Sequence, residues 1–369
     1  MIPHLAAGAP PTAPHSVSAN SVSRIMLTLL ATLVPATVFG FWLYGWPAIF
    51  LWIITVLAAL FGEAACLRLA GRPALPALAD GSALVTGWLL ALSLPPWAPW
   101  WIGAVGGLFA TMLAKQVFGG LGFNLFNPAM VARVFLLISF PVQMTVWIAP
   151  MPITAASAPG LHDSLLIFLG SFPKLDAIAS ASLLGFAKTE LSRGTDLLHA
   201  LIGSAPGVSL TGARAGSLGE TASLLIAAGG MALIVLRVIT WHIPAAMLAG
   251  IAIPALIANA IDPARYLDVT SHLLSGGAML GAFYIATDYV TSPNTRPGQL
   301  VFACGCGVLT YVIRTWGGYP EGVAFAVLLM NAVTPVIDRY LRPRILGRDW
   351  RGTPLDPAIE RAKIAGAKS

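Results

Sequence analysis

The sequence predicts an all-α, polytopic membrane protein of about ten transmembrane helices. Apolar residues make up 57% of the 369 residues, charged residues make up 10%, and the mean hydropathy is +0.80, whereas soluble domains contain about 25% charged residues. The apolar runs are long and unbroken, which excludes the alternating pattern of a membrane β-barrel. The net charge of +6 comes mostly from arginines at predicted helix ends, so it indicates membrane orientation and no nucleic-acid partner.

Ten apolar spans follow from a window of about twenty residues. Proline marks several span boundaries, such as Pro95-Pro96, Asn127-Pro128 and Ser292-Pro293, because it opens a helix but disrupts a helix interior. A long polar leader argues against a cleavable signal peptide. The predicted spans are 23–41, 44–66, 78–94, 98–117, 128–149, 221–239, 243–261, 272–289, 298–314 and 320–340.

The basic residues predict that both termini lie in the cytoplasm. With the N-terminus inside, Arg265 and Arg314 are the only short-loop basic residues that fall outside. This orientation implies a bacterial inner membrane and a periplasmic central loop. The predicted regions are a cytoplasmic N-terminal tail (1–22), a first transmembrane half (23–149), a periplasmic loop (150–220), a second transmembrane half (221–340) and a basic cytoplasmic C-terminal tail (341–369).

The two transmembrane halves show signs of an internal duplication. The segment Tyr44–Pro47 precedes Trp241–Pro244 by 197 positions, and other Gly-rich segments recur near the same offset. An odd number of helices in each half gives the halves opposite orientations, and inverted repeats commonly bind ligands at their interface. The sequence therefore predicts an inverted repeat of two five-helix halves, with chance similarity of Gly-rich membrane helices as the alternative.

The 150–220 loop is the only long polar stretch of the chain, and loops of this length are usually functional or disordered. It contains the small-residue run Asp176–Ser182, which by itself is typical of an ordinary flexible loop. Cys66, Cys304 and Cys306 lie in apolar segments with no metal-ligand spacing, so we interpret them as small core residues. No metal site is predicted, and no Gly-rich fingerprint for NAD follows a strand.

Several motifs carry a resemblance to a known family. The segments Phe118–Ala129, Leu136–Met144 and Arg314–Asn331 resemble the RnfD component of the Rnf electron-transport complex, a family that includes the B subunit of the sodium-translocating NADH:quinone reductase. The resemblance covers roughly residues 20–345. It implies a membrane component of a multisubunit ferredoxin:NAD oxidoreductase that moves Na⁺ or H⁺. The other Rnf subunits and membrane lipid are then the partners, and no activity of the isolated chain is expected.

The resemblance also implies a covalent flavin in the loop. Members of this family carry an Asp-x-x-Ser-Gly-Ala-Thr type of motif, whose last hydroxyl forms a phosphoester with FMN through a flavin transferase. On this chain Asp176 matches the aspartate, Ser180 the small residue, Ala181 the alanine and Ser182 the acceptor. Serine replaces the usual threonine but keeps the hydroxyl, so the phosphoester stays chemically possible.

Two sets of nearby loop residues complete the predicted flavin site. The hydroxyls of Ser180 and Thr189 are the alternative acceptors. Lys174, Lys188 or Arg193 are the cations that would pair with the FMN phosphate, and the alternative for each is an ordinary solvated loop charge.

Ionisable and polar residues at membrane depth form a second set of functional residues, because their burial in hydrocarbon is costly. We select Asp288, Glu321, Asp80 and Asn127 as members of an ion pathway; the alternative is that they cap helix ends or hold a partner subunit. Asn127-Pro128 also indicates the start of a broken helix, whose free backbone groups would line a cavity. By the resemblance, this region implies riboflavin as a second flavin.

Two other functions remain open from the sequence. The same inverted repeat would suit a channel or solute transporter without a redox centre, with the loop as a vestibule. The chain would also serve as a purely structural anchor of the complex. Detection of a covalent flavin would distinguish an electron carrier from a channel or solute transporter. Loss of ion pumping in a fully assembled variant complex would count against a purely structural anchor.

Overall fold

The computed structural model describes residues 21–171, 179–180, 182–192, 215–319 and 321–342. These residues are mostly helical. The helices before the loop are α1 (Val22–Tyr44), α2 (Trp46–Leu69), α3 (Ala74–Leu78), α4 (Ser82–Ser93), α5 (Trp100–Leu108, continued by a π-helix Phe109–Leu113 and a 3₁₀ turn Gln116–Phe118), α6 (Pro128–Ser139) and α7 (Pro141–Thr145). The loop contains β1 (Trp147–Ile148), α8 (Leu161–Phe168), β2 (Ala179–Ser180) and α9 (Leu183–Ser192).

The second half begins with a short helix and ends with two long ones. Its elements are α10 (Leu218–Thr221), α11 (Ser223–Val235), α12 (His242–Ile261), α13 (Val269–Leu274), α14 (Ala278–Leu280, continued by a π-helix Gly281–Ile285), α15 (Arg296–Trp316) and α16 (Val323–Tyr340).

Six helical segments in the described part of the chain are long and apolar enough to cross a membrane. This confirms a helical membrane protein but does not confirm the predicted count of ten. Three further apolar helices, α4, α6 and α11, are shorter. The six long segments are Val22–Tyr44, Trp46–Leu69, Trp100–Phe118, His242–Ile261, Arg296–Trp316 and Val323–Tyr340.

The prediction of one continuous helix over 272–289 is wrong. The chain leaves α13 at Ser275 and re-enters a helix at Ala278, and Gly276 between them has a φ of 64°. Only glycine adopts this left-handed region without a steric cost, so the run Ser275-Gly276-Gly277 breaks the helix where hydropathy alone predicts continuity.

Helix starts agree better with the sequence. Asn127 caps α6 by accepting a hydrogen bond from the Met130 N–H at 3.2 Å, and Pro128 follows as the first helical residue. Thr295 caps α15 in the same way through the Gly298 N–H. Side-chain oxygens at these positions satisfy N–H groups that lack an intrahelical partner.

The helices of each half pack on one another and also pack across the boundary between the two halves. Within the first half α2 packs against α4 and α5, and within the second α12 packs against α15 and α13. Between the halves α1 packs against α11, and α6 packs against α16. One apolar core runs through both halves.

The described parts of the loop contact both halves. Strand β1, which follows the first half, pairs antiparallel with β2, so that Trp147 lies opposite Ser180. Helix α8 packs on α2, where the rings of Phe50 and Phe168 are 5.7 Å apart. Helix α9 reaches the second half, since the Lys188 ammonium donates to the carbonyl oxygens of Gly317 and Tyr319. The described loop residues are therefore anchored on both halves.

Candidate functional site

Ser182 lies at the start of α9 and faces a small cavity. The residue is 4% exposed, and its hydroxyl oxygen accepts a hydrogen bond from the Gly185 N–H at 3.2 Å. The same cavity, called here the serine cavity, is lined by Gly216, Glu220, Thr221, Ser275 and Gly276. Residues of the loop and of the second half therefore enclose the predicted acceptor hydroxyl.

A larger cavity, called here the basic cavity, adjoins the serine cavity through Leu184, which lines both. It encloses about 850 Å³, including its open mouth. Its functional side chains are basic or aromatic: Lys188, Arg265, Tyr266, His272, Arg314 and Trp316.

Two buried nitrogen atoms in the wall of the basic cavity have no hydrogen-bond partner among the described residues. They are the Nδ1 atom of His272 and the Nε atom of Arg314, whose residues are 4% and 5% exposed. Buried polar groups are normally paired, so these two atoms mark a place for a polar ligand. Burial lowers the pKa of the nearby Lys188 ammonium, since a low-dielectric surrounding disfavours the charged form.

Several predicted loop residues lie outside the described residues. These are Lys174, Asp176, Ala181 and Arg193. Ser180 is described only by its backbone, which pairs with Trp147. The alternative acceptor Thr189 lies on the exposed side of α9 and donates to the Gly185 carbonyl at 3.0 Å.

A third site, called here the polar cleft, lies between the two halves near the start of α6. Its polar side chains are Ser82, Lys115, Asn124, Asn127, Thr287 and Asp288. It encloses about 710 Å³, including its open mouth, and its remaining walls are mostly apolar. The structure thus brings together Asn127 and Asp288, two of the four predicted ion-pathway residues.

Asn127 and Asp288 are both tied into the surrounding turns. The side-chain amide of Asn331 links Asn127 to the turn at Thr291. In the amide orientation that satisfies both partners, the Asn331 oxygen accepts from the Asn127 N–H at 3.1 Å, and the Asn331 nitrogen donates to the Thr291 carbonyl at 3.3 Å. Asp288 accepts from the Thr291 hydroxyl at 3.2 Å. The side-chain oxygen of Asn124, by contrast, is buried without a partner among the described residues.

One wall of the polar cleft is formed by a buried ion pair. The Lys115 ammonium lies 2.8 Å from a carboxylate oxygen of Glu63 and donates to the Ser82 hydroxyl at 2.6 Å. Gln116 donates to the same carboxylate at 2.7 Å. Burial of this pair is compatible with a membrane interior because its charges and hydrogen bonds are satisfied internally.

The other two predicted ion-pathway residues lie elsewhere. Asp80 lies just before α4 and accepts from the N–H of Ser82, the first residue of that helix, at 2.6 Å. Glu321 forms an ion pair with Arg133 of α6. This pair lines a separate cavity, called here the ion-pair cavity, together with Ser93, Ser217 and Gly277.

This combination of loop, cavities and helical halves occurs in a chain that matches a known protein family over most of its length. A family model described as the NQR2, RnfD, RnfE family matches residues 11–347. The chain belongs to this family.

Relatives from several bacteria extend over nearly the same length. A protein of Halorhodospira halophila, named as the D subunit of an ion-translocating oxidoreductase complex, is 53% identical over 343 residues, which cover 93% of this chain and 96% of the relative. Proteins of the same name are 52% identical over 337 residues in Stutzerimonas stutzeri (91% and 95% covered) and 48% identical over 305 residues in Rhodobacter capsulatus (82% and 85% covered).

Some site residues of this NQR2, RnfD, RnfE family member were not singled out as functional from sequence. These residues are Lys115, Asn124 and Glu220. Glu220 lies at the predicted boundary between loop and span, where hydropathy does not separate an exposed residue from a buried one. Asn124 is the first asparagine of Asn-Leu-Phe-Asn-Pro, so its spacing of three from Asn127 is the signal that marks it.

Proposed function

We propose that this chain is a membrane component of an ion-translocating ferredoxin:NAD oxidoreductase, and that it carries electrons on an FMN held covalently by Ser182. The complex couples electron transfer to the movement of Na⁺ or H⁺. The names of the relatives support a role in such a complex. The observation that carries the flavin part is the buried Ser182 hydroxyl in a cavity that adjoins the basic cavity.

The surroundings of Ser182 suit a phosphoester. The hydroxyl lies at the N-terminal end of the ten-residue helix α9, and helix N-termini stabilise phosphate through their N–H groups and dipole. Attachment replaces the Ser182 O–H bond with an O–P bond, with a net loss of water relative to serine and FMN. Glu220 in the same cavity opposes the added negative charge, and Arg314 and Lys188 next door favour it.

The basic cavity suits the isoalloxazine ring. Lys188 follows Ser182 by six positions, a helical rise of about 9 Å, which a ribityl chain spans. Tyr266 and Trp316 offer aromatic walls, while Arg265, Arg314 and His272 offer polar edges. When bound, FMN supplies one- and two-electron chemistry, and this chain's residues supply its position and electrostatic field.

A second flavin, riboflavin, suits the polar cleft. The cleft combines apolar walls with the side-chain oxygen of Asn124, which has no hydrogen-bond partner among the described residues. An apolar pocket with a few convergent polar groups is the usual form of a cofactor site. Asp288 and Asn127 in this cleft are also the residues we assign to ion uptake, with Glu321 and Asp80 elsewhere on the same ion pathway.

Two further parts of the proposal concern architecture. The matched contacts of α1 with α11 and of α6 with α16 support an inverted repeat, because a pseudo-two-fold axis brings together corresponding elements of the two halves. The charge distribution supports cytoplasmic termini and a periplasmic loop in the bacterial inner membrane. A periplasmic flavin transferase and the other complex subunits are then the partners.

In-gel flavin fluorescence tests the attachment. The chain is expressed with an active flavin transferase and examined on a denaturing gel as the wild type, Ser182→Ala and Ser182→Thr. We expect a fluorescent band for the wild type and for Ser182→Thr, which keeps the hydroxyl, and a dark band for Ser182→Ala. A dark wild-type band would contradict covalent attachment and favour a channel without a redox centre.

Fragmentation mass spectrometry of the tryptic peptide that ends at Lys188 names the modified residue. This peptide contains both Ser180 and Ser182. Addition of FMN less water on Ser182 supports the proposal. The same addition on Ser180 would move the attachment to the alternative acceptor.

A further inference from the structure

The Arg133–Glu321 ion pair joins the two halves at the ion-pair cavity. Arg133 belongs to α6 of the first half, and Glu321 lies just before α16 of the second half. The two side chains are 9% and 11% exposed. A buried ion pair is weak evidence for stability, because desolvation offsets most of the attraction. Its position between the two halves therefore calls for another role.

Neither partner of this pair is saturated. The Nη1 atom of Arg133 and the Oε1 atom of Glu321 are buried with no hydrogen-bond partner among the described residues. The pair thus uses one carboxylate oxygen and leaves the other open. An unsatisfied buried charge is costly, so the Oε1 atom of Glu321 is a position where a second ligand would bind.

The cavity next to Glu321 offers oxygen atoms that suit a small cation. The Ser93 hydroxyl donates to the Leu90 carbonyl at 2.7 Å, and the Ser217 hydroxyl donates to the Glu220 carboxylate at 3.1 Å. Both hydroxyl protons are engaged, so the oxygen lone pairs are left to accept. Hard cations prefer oxygen ligands such as carboxylates and carbonyls.

If the Arg133 side chain left Glu321, the carboxylate of Glu220 would be its alternative partner. Glu220 is buried and lies within Coulombic reach of both Arg133 and Arg314. The two arginines and the two glutamates form a neutral group of four charges. Glu220 also lines the serine cavity, so charge added at Ser182 acts on the same group.

We propose that Glu321 is a binding site for a monovalent cation and that Arg133 is a tethered cation that competes for it. When the cation binds Glu321, Arg133 turns towards Glu220; when the cation leaves, Arg133 returns. A bound cation raises the net charge of the group by one, and an electron on a flavin beside Glu220 compensates that charge. This inference rests on the proposed function, because it needs the flavin at Ser182.

The test uses the purified, complete complex in proteoliposomes, with Glu321→Gln, Arg133→Gln and, as a control, Arg68→Gln at the exposed end of α2. Electron transfer, the membrane potential formed and the Na⁺ and pH dependence of both are measured. We expect Glu321→Gln to lose most of the ion transport, while uncoupled electron transfer persists. Removal of the competitor in Arg133→Gln is expected to lower the half-saturating cation concentration.

The two cation sources give different profiles. A shift in Na⁺ dependence at constant pH assigns Na⁺, and a shift in pH profile without Na⁺ dependence assigns a proton on Glu321. The charged groups that face Glu321 are Arg133 directly, with Glu220 and Arg314 beyond it. Normal ion transport and normal cation dependence in Glu321→Gln would overturn the inference.

Two controls keep the outcome clear. If Arg133→Gln does not assemble, Arg133→Met is the second neutral variant and is also expected to lower the half-saturating cation concentration, whereas Arg133→Lys retains the tethered charge and is expected to stay near the wild type; an unchanged half-saturating concentration in the neutral variant contradicts competition. The flavin band is recorded for every variant. A dark wild-type band rejects the proposed function, whereas a fluorescent, pumping Glu321→Gln complex rejects only this inference.

Discussion

Each half of the molecule buries a cation beside the glycine that precedes its re-entry into a helix. In the first half Lys115 lies next to Ser82, which follows Gly81 with a φ of 80°. In the second half Arg314 lies next to Ser275, which precedes Gly276 with a φ of 64°. The partners differ, however. Lys115 is bound by the carboxylate of Glu63, whereas Arg314 donates to the carbonyl oxygens of His272 and Ser275 at 2.6 and 3.0 Å.

This difference separates two uses of a buried charge. The carboxylate of Glu63 neutralises Lys115 at contact distance, so that pair acts mainly as an internal support of the polar cleft. Carbonyl dipoles hold Arg314 in place but do not cancel its charge. Its field therefore reaches the basic cavity and Glu220. We conclude that Arg314 stays available to a ligand, whereas Lys115 is held by its own carboxylate.

The largest effect is expected when the Lys115 pair is broken. Glu63→Gln leaves a buried ammonium without its counter-charge, which costs about 3–5 kcal/mol of folding free energy. Thermal unfolding of the purified chain in detergent measures this loss.

The matched control for that prediction removes both charges. Lys115→Met combined with Glu63→Leu replaces the pair by apolar residues of similar size, which is often neutral or stabilising. We expect the double variant to unfold near the wild-type temperature. An unfolding temperature of Glu63→Gln equal to that of the wild type would show that Lys115 does not depend on its carboxylate.

The second prediction concerns the glycine beside Arg314. Gly276→Ala places a Cβ against the Arg314 guanidinium and forces a non-glycine residue into the left-handed region, at a cost of about 1–3 kcal/mol. Gly277→Ala is the control, because a Cβ there meets no heavy atom within 4 Å. Unfolding temperatures are expected to fall for Gly276→Ala and to change little for Gly277→Ala. Equal effects would mean that Arg314 is not held by this turn.

Sequence predicted the membrane class and many helix starts, because hydropathy, proline and capping residues act locally. It grouped Asn127 with Asp288, which the fold brings together in the polar cleft. It did not predict the break at Gly276, since the apolar run continues across it. Nor did it predict the pairing of Arg133 with Glu321, 188 positions apart, because such contacts depend on how the two halves pack.

The smallest effect is expected on the redox potential of the flavin. Arg314→Gln removes from the wall of the basic cavity a cation whose hydrogen-bond partners among the described residues are carbonyl oxygens, so a reduced, anionic flavin loses electrostatic stabilisation. A loss of about 1.4 kcal/mol corresponds to ~59 mV for one electron, and the midpoint potential should become more negative by this order.

Redox titration of the flavin that stays with the purified complex measures the shift. Lys115→Met combined with Glu63→Leu serves as the comparison from the other half, where a neutral pair is removed and the potential of the Ser182-bound flavin should not move. Equal shifts in both variants would show that the two buried cations act alike, and that carbonyl partners do not leave Arg314 free to serve a ligand.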